Sequence, residues 1–278
     1  MLRLTALYRY PMKSAIGEPL ARAELDGLGL AGDRRWMLVD ASNGRFLTQR
    51  ALPQMSQLSA RWNATGGLSL RAAGLPELEV PLPGIEAELR SALIWSDAMR
   101  VPDAGDEAAE WLSRFIGKPC RLVHVPAERA RDIPGSLLPE EKVGFADGYP
   151  LLLIGQASLD DLSVRVGRPL EMLRFRPNLV VEGSEPYAED SWKRIRIGGV
   201  EFSVAKGCSR CILTTIDPAT GERSADREPL TTLKTYRERE GEVFFGQNLI
   251  NRSSGALEVG MAVEVLECEG LTPLQQDD

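Results

Sequence analysis

The chain has 278 residues, 43% of them hydrophobic and 26% charged, so it is long enough to bury one large core or two moderate ones. Its net charge of −7 and isoelectric point near 5.1 argue against a general binder of nucleic acid or anionic membranes. His124 is the only histidine, which excludes most histidine-based zinc sites and Ser-His-Asp triads. There is no signal-peptide pattern and no long apolar run, and four cysteines are too few for a disulfide framework. We therefore predict a cytoplasmic protein with reduced thiols.

The first hundred residues contain short apolar runs separated by turn signals. A strand is predicted at 3–12, and Asn43-Gly44 between two alternating segments is typical of a hairpin turn. No long helical period interrupts these runs, which predicts a small barrel or sandwich. A helical pattern first occurs at 106–118, and a strand is predicted to follow at 120–125.

The second half also reads as mainly β, with a few helices. The polar segment 126–148 predicts a long loop that forms either a domain boundary or the cover of an active site. Ser158, three residues before Asp161, approximates a capping box and predicts a helix at 158–166. Further predictions are a strand at 175–183, a hairpin around Gly198-Gly199, a strand at 211–217, a helix at 228–238, and strands near 242–250 and 261–267.

The segment KGCSRCILTTID places Cys208 and Cys211 in a C-x-x-C motif. A structural zinc site needs a second ligand pair, which the other cysteines and the histidine do not form. A thioredoxin-type dithiol needs a helix after the motif, and the β-branched residues that follow favour a strand. Both cysteines could instead be small buried hydrophobic residues. The neighbouring Lys206 and Arg210 favour a thiolate, which is a soft ligand for a metal.

Several cations stand beside turn-forming or strand-entry residues. Each of them, taken singly, is typical of a solvated surface charge. Together they could provide guanidinium, ammonium and hydroxyl donors to a phosphate-bearing ligand, although composition cannot show that they converge. They occur at Lys13-Ser14, Arg34-Arg35, Arg174 with Arg176, and Ser209-Arg210.

Six short motifs resemble, in the same order, those of the MOSC-domain molybdenum enzymes, which include amidoxime-reducing components and bacterial YcbX-type proteins. They are YPMKS, GDRRWMLVD, FRPNLVV, CSRCILTTIDPATG, EPLTTLKTYR and FGQNL. The resemblance implies a mainly β (α+β) fold, with an N-terminal MOSC-associated β-barrel-like domain at 1–122 and a MOSC-type β-barrel domain at 123–270. A short tail would follow at 271–278, and a molybdenum cofactor (Mo-molybdopterin) would lie between the two domains.

The resemblance also implies a role for individual residues. Cys211 would ligate molybdenum, and Asp147 would lie near the metal. Cys208 has no counterpart role, so we interpret it as structural. The residues expected to hold the pterin and its phosphate are Lys13, Ser14, Arg34, Arg176, Asn178, Ser209 and Arg210.

The implied reaction is the two-electron reduction of a small N-hydroxylated or N-oxygenated compound, with water as the other product. YcbX-type relatives carry a ferredoxin domain with four cysteines, whereas only Cys268 occurs near the end of this chain. We therefore expect no iron–sulfur cluster, and electrons from a separate flavin or iron–sulfur protein, with no nucleic-acid or membrane partner. A non-catalytic carrier of the cofactor or of sulfur is the alternative, and a thiol–disulfide protein using both cysteines is a third hypothesis.

Overall fold

Strands dominate the computed structural model, which describes residues 1–134, 136 and 141–269. The predicted tail at 271–278 lies outside these residues. The strands of the first half are β1 (Arg3–Arg9), β2 (Glu18–Leu20), β3 (Arg22–Asp26), β4 (Gly29–Leu30), β5 (Trp36–Asp40), β6 (Ser59–Trp62), β7 (Leu68–Arg71), β8 (Leu78–Val80), β9 (Leu89–Ile94), β10 (Asp97–Pro102) and β11 (Cys120–His124). Those of the second half are β12 (Arg131–Asp132), β13 (Lys142–Val143), β14 (Leu151–Gly155), β15 (Leu179–Glu182), β16 (Trp192–Ile197), β17 (Val200–Arg210), β18 (Glu238–Arg239), β19 (Glu242–Asn251), β20 (Gly255–Glu258) and β21 (Val263–Cys268). The α-helices are α1 (Asp106–Ile116), α2 (Gln156–Val166) and α3 (Leu230–Arg237). The prediction of a mainly β protein with a few helices is confirmed.

The largest sheet has nine strands and combines both ends of the chain. Its order is β2-β1-β15-β14-β19-β17-β16-β21, with β18 paired to β19. β1 runs antiparallel to β15, from the pair Arg3↔Glu182 to the pair Leu7↔Leu179, while β14 and β15 are parallel. The carboxyl end of β1 therefore lies at the same edge as the amino ends of β14 and β15. The residues just outside these three strand ends meet at that edge.

Two large hydrophobic cores lie beneath the sheets. One contains Leu4 and Leu25 together with Leu153 and Phe202, and thus joins the first thirty residues to the C-terminal sheet. The other is built from residues between 12 and 122 only and surrounds Trp36. The first strands therefore pack with the C-terminal half, although the sequence assigns them to the N-terminal domain. The domain boundaries themselves stay a prediction.

The helix at 106–118 is confirmed as α1, which ends where Gly117 adopts a left-handed φ of 79° and donates its N–H to Ser113 O. Helix α2 begins at Gln156, and the predicted capping box is wrong. The Ser158 hydroxyl instead donates to the carboxylate of Glu189, at 2.8 and 2.9 Å. Because Glu189 is distant in sequence, the local pattern could not indicate this partner.

The strand predicted at 211–217 is also wrong. The hydroxyls of Thr214 and Thr215 donate to the carbonyls of Cys211 and Ile212, at 3.1 and 2.7 Å. These local bonds replace strand pairing and close a 3-10 turn at Ile212–Thr215. Cys211 is thus the first residue after β17, at the point where the backbone leaves the sheet.

Other predicted turns are present. Gly198 and Gly199 connect β16 to β17, with Ile197 paired to Val200. The chain reverses at Asn43-Gly44, where Val39 bridges Phe46 in antiparallel orientation, although the second arm is not a continuous strand. In the segment 126–148 the described residues form a 3-10 turn and the two short strands β12 and β13.

Candidate active site

One cleft at the edge shared by β1, β14 and β15 collects the predicted site residues. Its volume is about 130 Å³. All nine residues line it, namely Lys13, Ser14, Arg34, Asp147, Arg176, Asn178, Ser209, Arg210 and Cys211. Lys13 and Ser14 follow β1, Asp147 precedes β14, and Arg176 precedes β15, so the sheet register brings these segments together. Of the cations that the sequence scatters along the chain, Lys13, Arg34, Arg174, Arg176 and Arg210 converge on the cleft, whereas Arg35 pairs with Asp26 at 2.6 Å instead.

Three of these residues hold the backbone in the left-handed region without being glycine. The φ angles are 68° at Ser14, 47° at Arg34 and 55° at Arg176. This conformation is uncommon for non-glycine residues and typically occurs where a ligand or a tight turn requires it. Hydrogen bonds to backbone atoms fix all three, because Ser14 O accepts the Gln49 amide at 2.8 Å, Arg34 N donates to Tyr10 O at 2.7 Å, and Arg176 N donates to Leu173 O at 3.2 Å.

Two arginines lie over the ring of one buried tyrosine. The guanidinium carbons of Arg34 and Arg176 lie 4.4 and 4.2 Å from the centroid of the Tyr10 ring. Arg34 is neutralised by Asp33, at 2.5 Å. Arg176 donates to Ala15 O at 2.7 Å, its Nη2 has no hydrogen-bond partner, and no described carboxylate pairs with it. Burial lowers the pKa of Arg176 to about 10. The cleft is therefore lined by a guanidinium that forms no ion pair with a described carboxylate and has one unsatisfied N–H group.

Lys13 and Asp147 form an ion pair at the cleft. Lys13 Nζ donates to Asp147 Oδ1 at 2.5 Å and to Phe145 O at 2.7 Å. Burial lowers the pKa of Lys13 to about 8, although Asp147 opposes the shift. Desolvation would raise the pKa of Asp147, but the charge of Lys13 and its hydrogen bond lower it to about 2. The two shifts follow from different balances, because desolvation outweighs the attraction of Asp147 at Lys13, whereas at Asp147 the charges of Lys13, Arg50 and Arg34 together with the Lys13 hydrogen bond outweigh desolvation.

Asn178 lines the cleft, but its amide is saturated by protein partners. The Nδ2 group donates to Tyr8 O and to Asp33 Oδ1, both at 3.1 Å. Its Oδ1 accepts from Leu152 N at 3.2 Å and from Arg34 Nη1 at 3.0 Å. Asn178 therefore positions Arg34 rather than offering a free polar atom to a ligand.

The end of β17 is fixed by a guanidinium that has carbonyl partners. Arg210 donates from Nε and Nη2 to Phe245 O, at 2.8 and 2.6 Å, and from Nη1 to Phe175 O at 3.0 Å. These hydrogen bonds fix the backbone at Ser209 and Cys211. Cys208 packs against the cluster that contains Phe175, and burial raises the pKa of its thiol more than Arg210 lowers it.

Sequence reasoning missed Arg50, which contacts the predicted metal ligand. Its Nε donates to Cys211 Sγ at 3.2 Å, and its Nη2 lies 3.5 Å from Asp147 Oδ2. Nothing in the segment FLTQRALPQ distinguishes this arginine from a surface charge, and its partners are about a hundred residues or more away. The sequence also gave no indication of the stacked Tyr10. Lys206, expected near the thiols, lies over the ring of Tyr149 at 5.9 Å.

Among the described residues, no three of the Cys, His, Asp and Glu side chains lie close enough together to hold a metal ion. The described part of the chain also contains no helix with the length and apolar character of a membrane span.

Known proteins resemble the chain over nearly its full length. The family model described as the MOSC N-terminal beta barrel domain matches residues 1–119, and that described as the MOSC domain matches residues 140–264. Mitochondrial amidoxime-reducing component 1 of Homo sapiens is 34% identical over 279 residues, which cover 94% of this chain and 82% of that protein. The Danio rerio protein of the same name is 34% identical over 274 residues, covering 94% and 83%.

A third relative has a different name. Molybdenum cofactor sulfurase of Oryza sativa subsp. japonica is 31% identical over 264 residues, which cover 88% of this chain but only 32% of that protein. The two domain matches and the long alignments agree with the motif resemblance and with the mainly β architecture. The chain is therefore a member of the MOSC family to which the mitochondrial amidoxime-reducing components belong.

Proposed function

We propose that the protein is a molybdenum-cofactor-dependent reductase of small N-hydroxylated or N-oxygenated compounds, with Cys211 as the protein ligand of the metal. The observation that carries the proposal is a thiol at the end of β17 in a cleft whose buried Arg176 guanidinium has an unpaired N–H. The relatives named amidoxime-reducing components support the same reaction class.

The donor set of the cleft fits a molybdopterin-type group. An anionic phosphate needs charged donors in a fixed arrangement, and the cleft supplies the buried Lys13 and the half-buried Arg176, whose Nη2 atom is buried without a partner. Arg34 and Ser14 line the same cleft, and a thiolate suits a soft or high-valent metal. When bound, the cofactor would supply two-electron chemistry at a single metal centre.

The chain's own residues would orient the reactants. Arg210 holds the backbone of Ser209 and Cys211 at the end of β17. Asp147, whose pKa is about 2, remains a carboxylate at neutral pH. It would therefore accept a hydrogen bond from a substrate N–H rather than deliver the protons that N–O cleavage and water formation consume. Electrons would come from a separate flavin or iron–sulfur protein, and a cytoplasmic location stays a prediction.

The first test is metal and pterin analysis of protein purified from a host that makes the cofactor. We expect about one molybdenum and one pterin per chain, loss of the metal in Cys211→Ser, and near-complete retention in Cys208→Ser. Reduction of a model amidoxime with an artificial electron donor should follow the same order. Wild-type protein that contains zinc or no metal would contradict the proposal, and equal losses in the two variants would favour a thiol–disulfide protein.

A carrier of the cofactor or of sulfur is the second candidate, and the relative named molybdenum cofactor sulfurase favours it. The same cleft residues would serve both functions. Turnover separates them, because a carrier would contain molybdenum yet reduce no N-hydroxylated compound with any donor.

A further inference from the structure

We propose that Arg50 is a positioning residue for the Cys211 sulfur and that Trp95 holds Arg50 in the required orientation. This inference rests on the proposed function, because it concerns the residue proposed to ligate the metal. Arg50 reaches across the cleft to two of its functional groups. Its Nε lies 3.2 Å from Cys211 Sγ, and its Nη2 lies 3.5 Å from Asp147 Oδ2.

The backbone of Arg50 is fixed on several sides. Thr48 O accepts the N–H groups of Ala51 and Leu52, at 3.1 and 2.9 Å, which closes a tight turn around Arg50. The Arg223 guanidinium donates to Arg50 O from the segment that follows the 3-10 turn. The position of the Arg50 backbone is therefore defined. Only the outer torsion angles of the Arg50 side chain remain variable.

Trp95 restricts those rotamers. It lies between β9 and β10 with a left-handed φ of 54°, and its ring centroid is 4.6 Å from the guanidinium carbon of Arg50. Phe46 supports the ring edge-on, with centroids 5.0 Å apart. Trp95 is 46% exposed, so core packing does not explain its position. Stacking on the planar guanidinium of Arg50 explains the position of Trp95. This geometry leaves the Nε edge of Arg50 free to face the Cys211 sulfur.

A donor at this position has a specific chemical effect. A hydrogen bond to a ligating sulfur withdraws electron density from it and limits its rotation. Such bonds raise the reduction potential of sulfur-ligated metal centres. Lysine cannot replace arginine here, since its charge sits on a single terminal nitrogen and it has no N–H at the Nε position. Arg50 would thus tune the centre without being a ligand or touching the substrate.

The experiment compares Arg50→Lys and Trp95→Leu with the wild type, all loaded with cofactor. Arg61→Lys, at an exposed arginine on β6, is the matched control. Three quantities are measured on each protein: the sulfur-to-metal charge-transfer absorption, the midpoint potential, and kcat and KM for a model amidoxime. For Arg50→Lys we expect a charge-transfer band at longer wavelength, a more negative potential, and a kcat about tenfold lower with KM changed less than twofold. Trp95→Leu should shift the same quantities in the same direction by less, about threefold in kcat, and Arg61→Lys should match the wild type.

The outcomes separate this inference from the proposed function. Wild-type protein without molybdenum would reject both. Wild-type protein that contains molybdenum, with Arg50→Lys unchanged in absorption and potential, would overturn the role of Arg50 alone. If Arg50→Lys does not fold or load, Trp95→Leu decides, because unchanged spectra in this variant would overturn the inference. Asp147→Asn distinguishes the two contacts of Arg50, since it should keep the charge-transfer band if the sulfur contact is the cause.

Discussion

The ammonium group of Lys13 should make cofactor retention fall as the pH rises above 8. Burial lowers the pKa of Lys13 to about 8, so the positive charge facing the cleft is lost within an accessible pH range. An anionic ligand stabilises the charged form and raises this pKa again on binding. The unliganded protein at pH 9 must therefore take up a proton before it can bind as it does at pH 7. The matched perturbation is Lys13→Met, which removes the charge at every pH and keeps most of the side-chain volume.

The size of the effect follows from the pKa. At pH 9, one unit above it, about one molecule in ten still carries the charge, so the apparent affinity should be about tenfold weaker than at pH 7. The stability of the cofactor-free protein should change in the opposite direction. The unfolded chain, where a lysine pKa is about 10.4, binds more protons than the folded chain between pH 8 and that value. Stability therefore rises with pH across this range, by about 1.4 kcal/mol for each unit.

Equilibrium dialysis of loaded protein at pH 7 and pH 9 measures the first effect, with molybdenum as the readout. Denaturant unfolding of the cofactor-free protein at both pH values measures the second effect. Lys13→Met should retain the cofactor weakly, and to the same extent at both pH values. The free energy of unfolding of the wild type should rise relative to that of Lys13→Met as the pH rises. Retention by the wild type that is equal at pH 7 and pH 9 would refute the reasoning, because Lys13 would then keep its charge or not contact the ligand.

Two further predictions concern groups that support the cleft. Asn178→Ala should lower the free energy of unfolding by about 2–4 kcal/mol, because it removes the side-chain acceptor of Leu152 N and the hydrogen bonds that Asn178 donates to Tyr8 O and Asp33. Asn248→Ala, at a half-buried asparagine on the same cleft, should cost less than about 1 kcal/mol in the same denaturant titration, and equal losses would contradict the bracing role. Burial raises the pKa of Glu189 despite hydrogen bonds from Gly155 N and Ser158, so the wild type should lose stability relative to Glu189→Gln as the pH rises above about 4.3. Unfolding curves at pH 4 and pH 7 test this, and a relative gain at pH 7 would show that the carboxylate is favoured in the folded state.

The sequence predicts well those elements that local patterns specify. The period of α1 and the glycine pair between β16 and β17 are local signals, and both elements are present. The turn at Ile212–Thr215 was missed because β-branched residues favour strands on average, while here the threonine hydroxyls bond to nearby carbonyls. The capping of α2 was missed because its carboxylate partner, Glu189, comes from another segment.

The candidate site shows the same difference between features that local sequence patterns specify and features that depend on distant partners. Motif resemblance selected nine residues, and all of them line one cleft, although their roles stay predictions. It did not select Arg50, whose contact with Cys211 joins positions 161 residues apart. It also did not separate Asn178, which is saturated within the protein, from Arg176, which is not. Such differences depend on how many hydrogen-bond partners each side chain finds after folding, and a motif does not encode that number.

The position of β1 between β2 and β15 also determines how the chain can be divided. A fragment that begins at residue 123 would lack β1 and expose the backbone donors and acceptors of β15 along a free edge, next to the apolar surface that Leu4 and Leu7 cover. Such an edge pairs readily with other chains, so this fragment is expected to aggregate. It would also lack Lys13, Ser14 and Arg34. The two matched regions are thus distinguishable in sequence but are not interchangeable modules, and recombination or truncation between them would damage solubility and the binding cleft together.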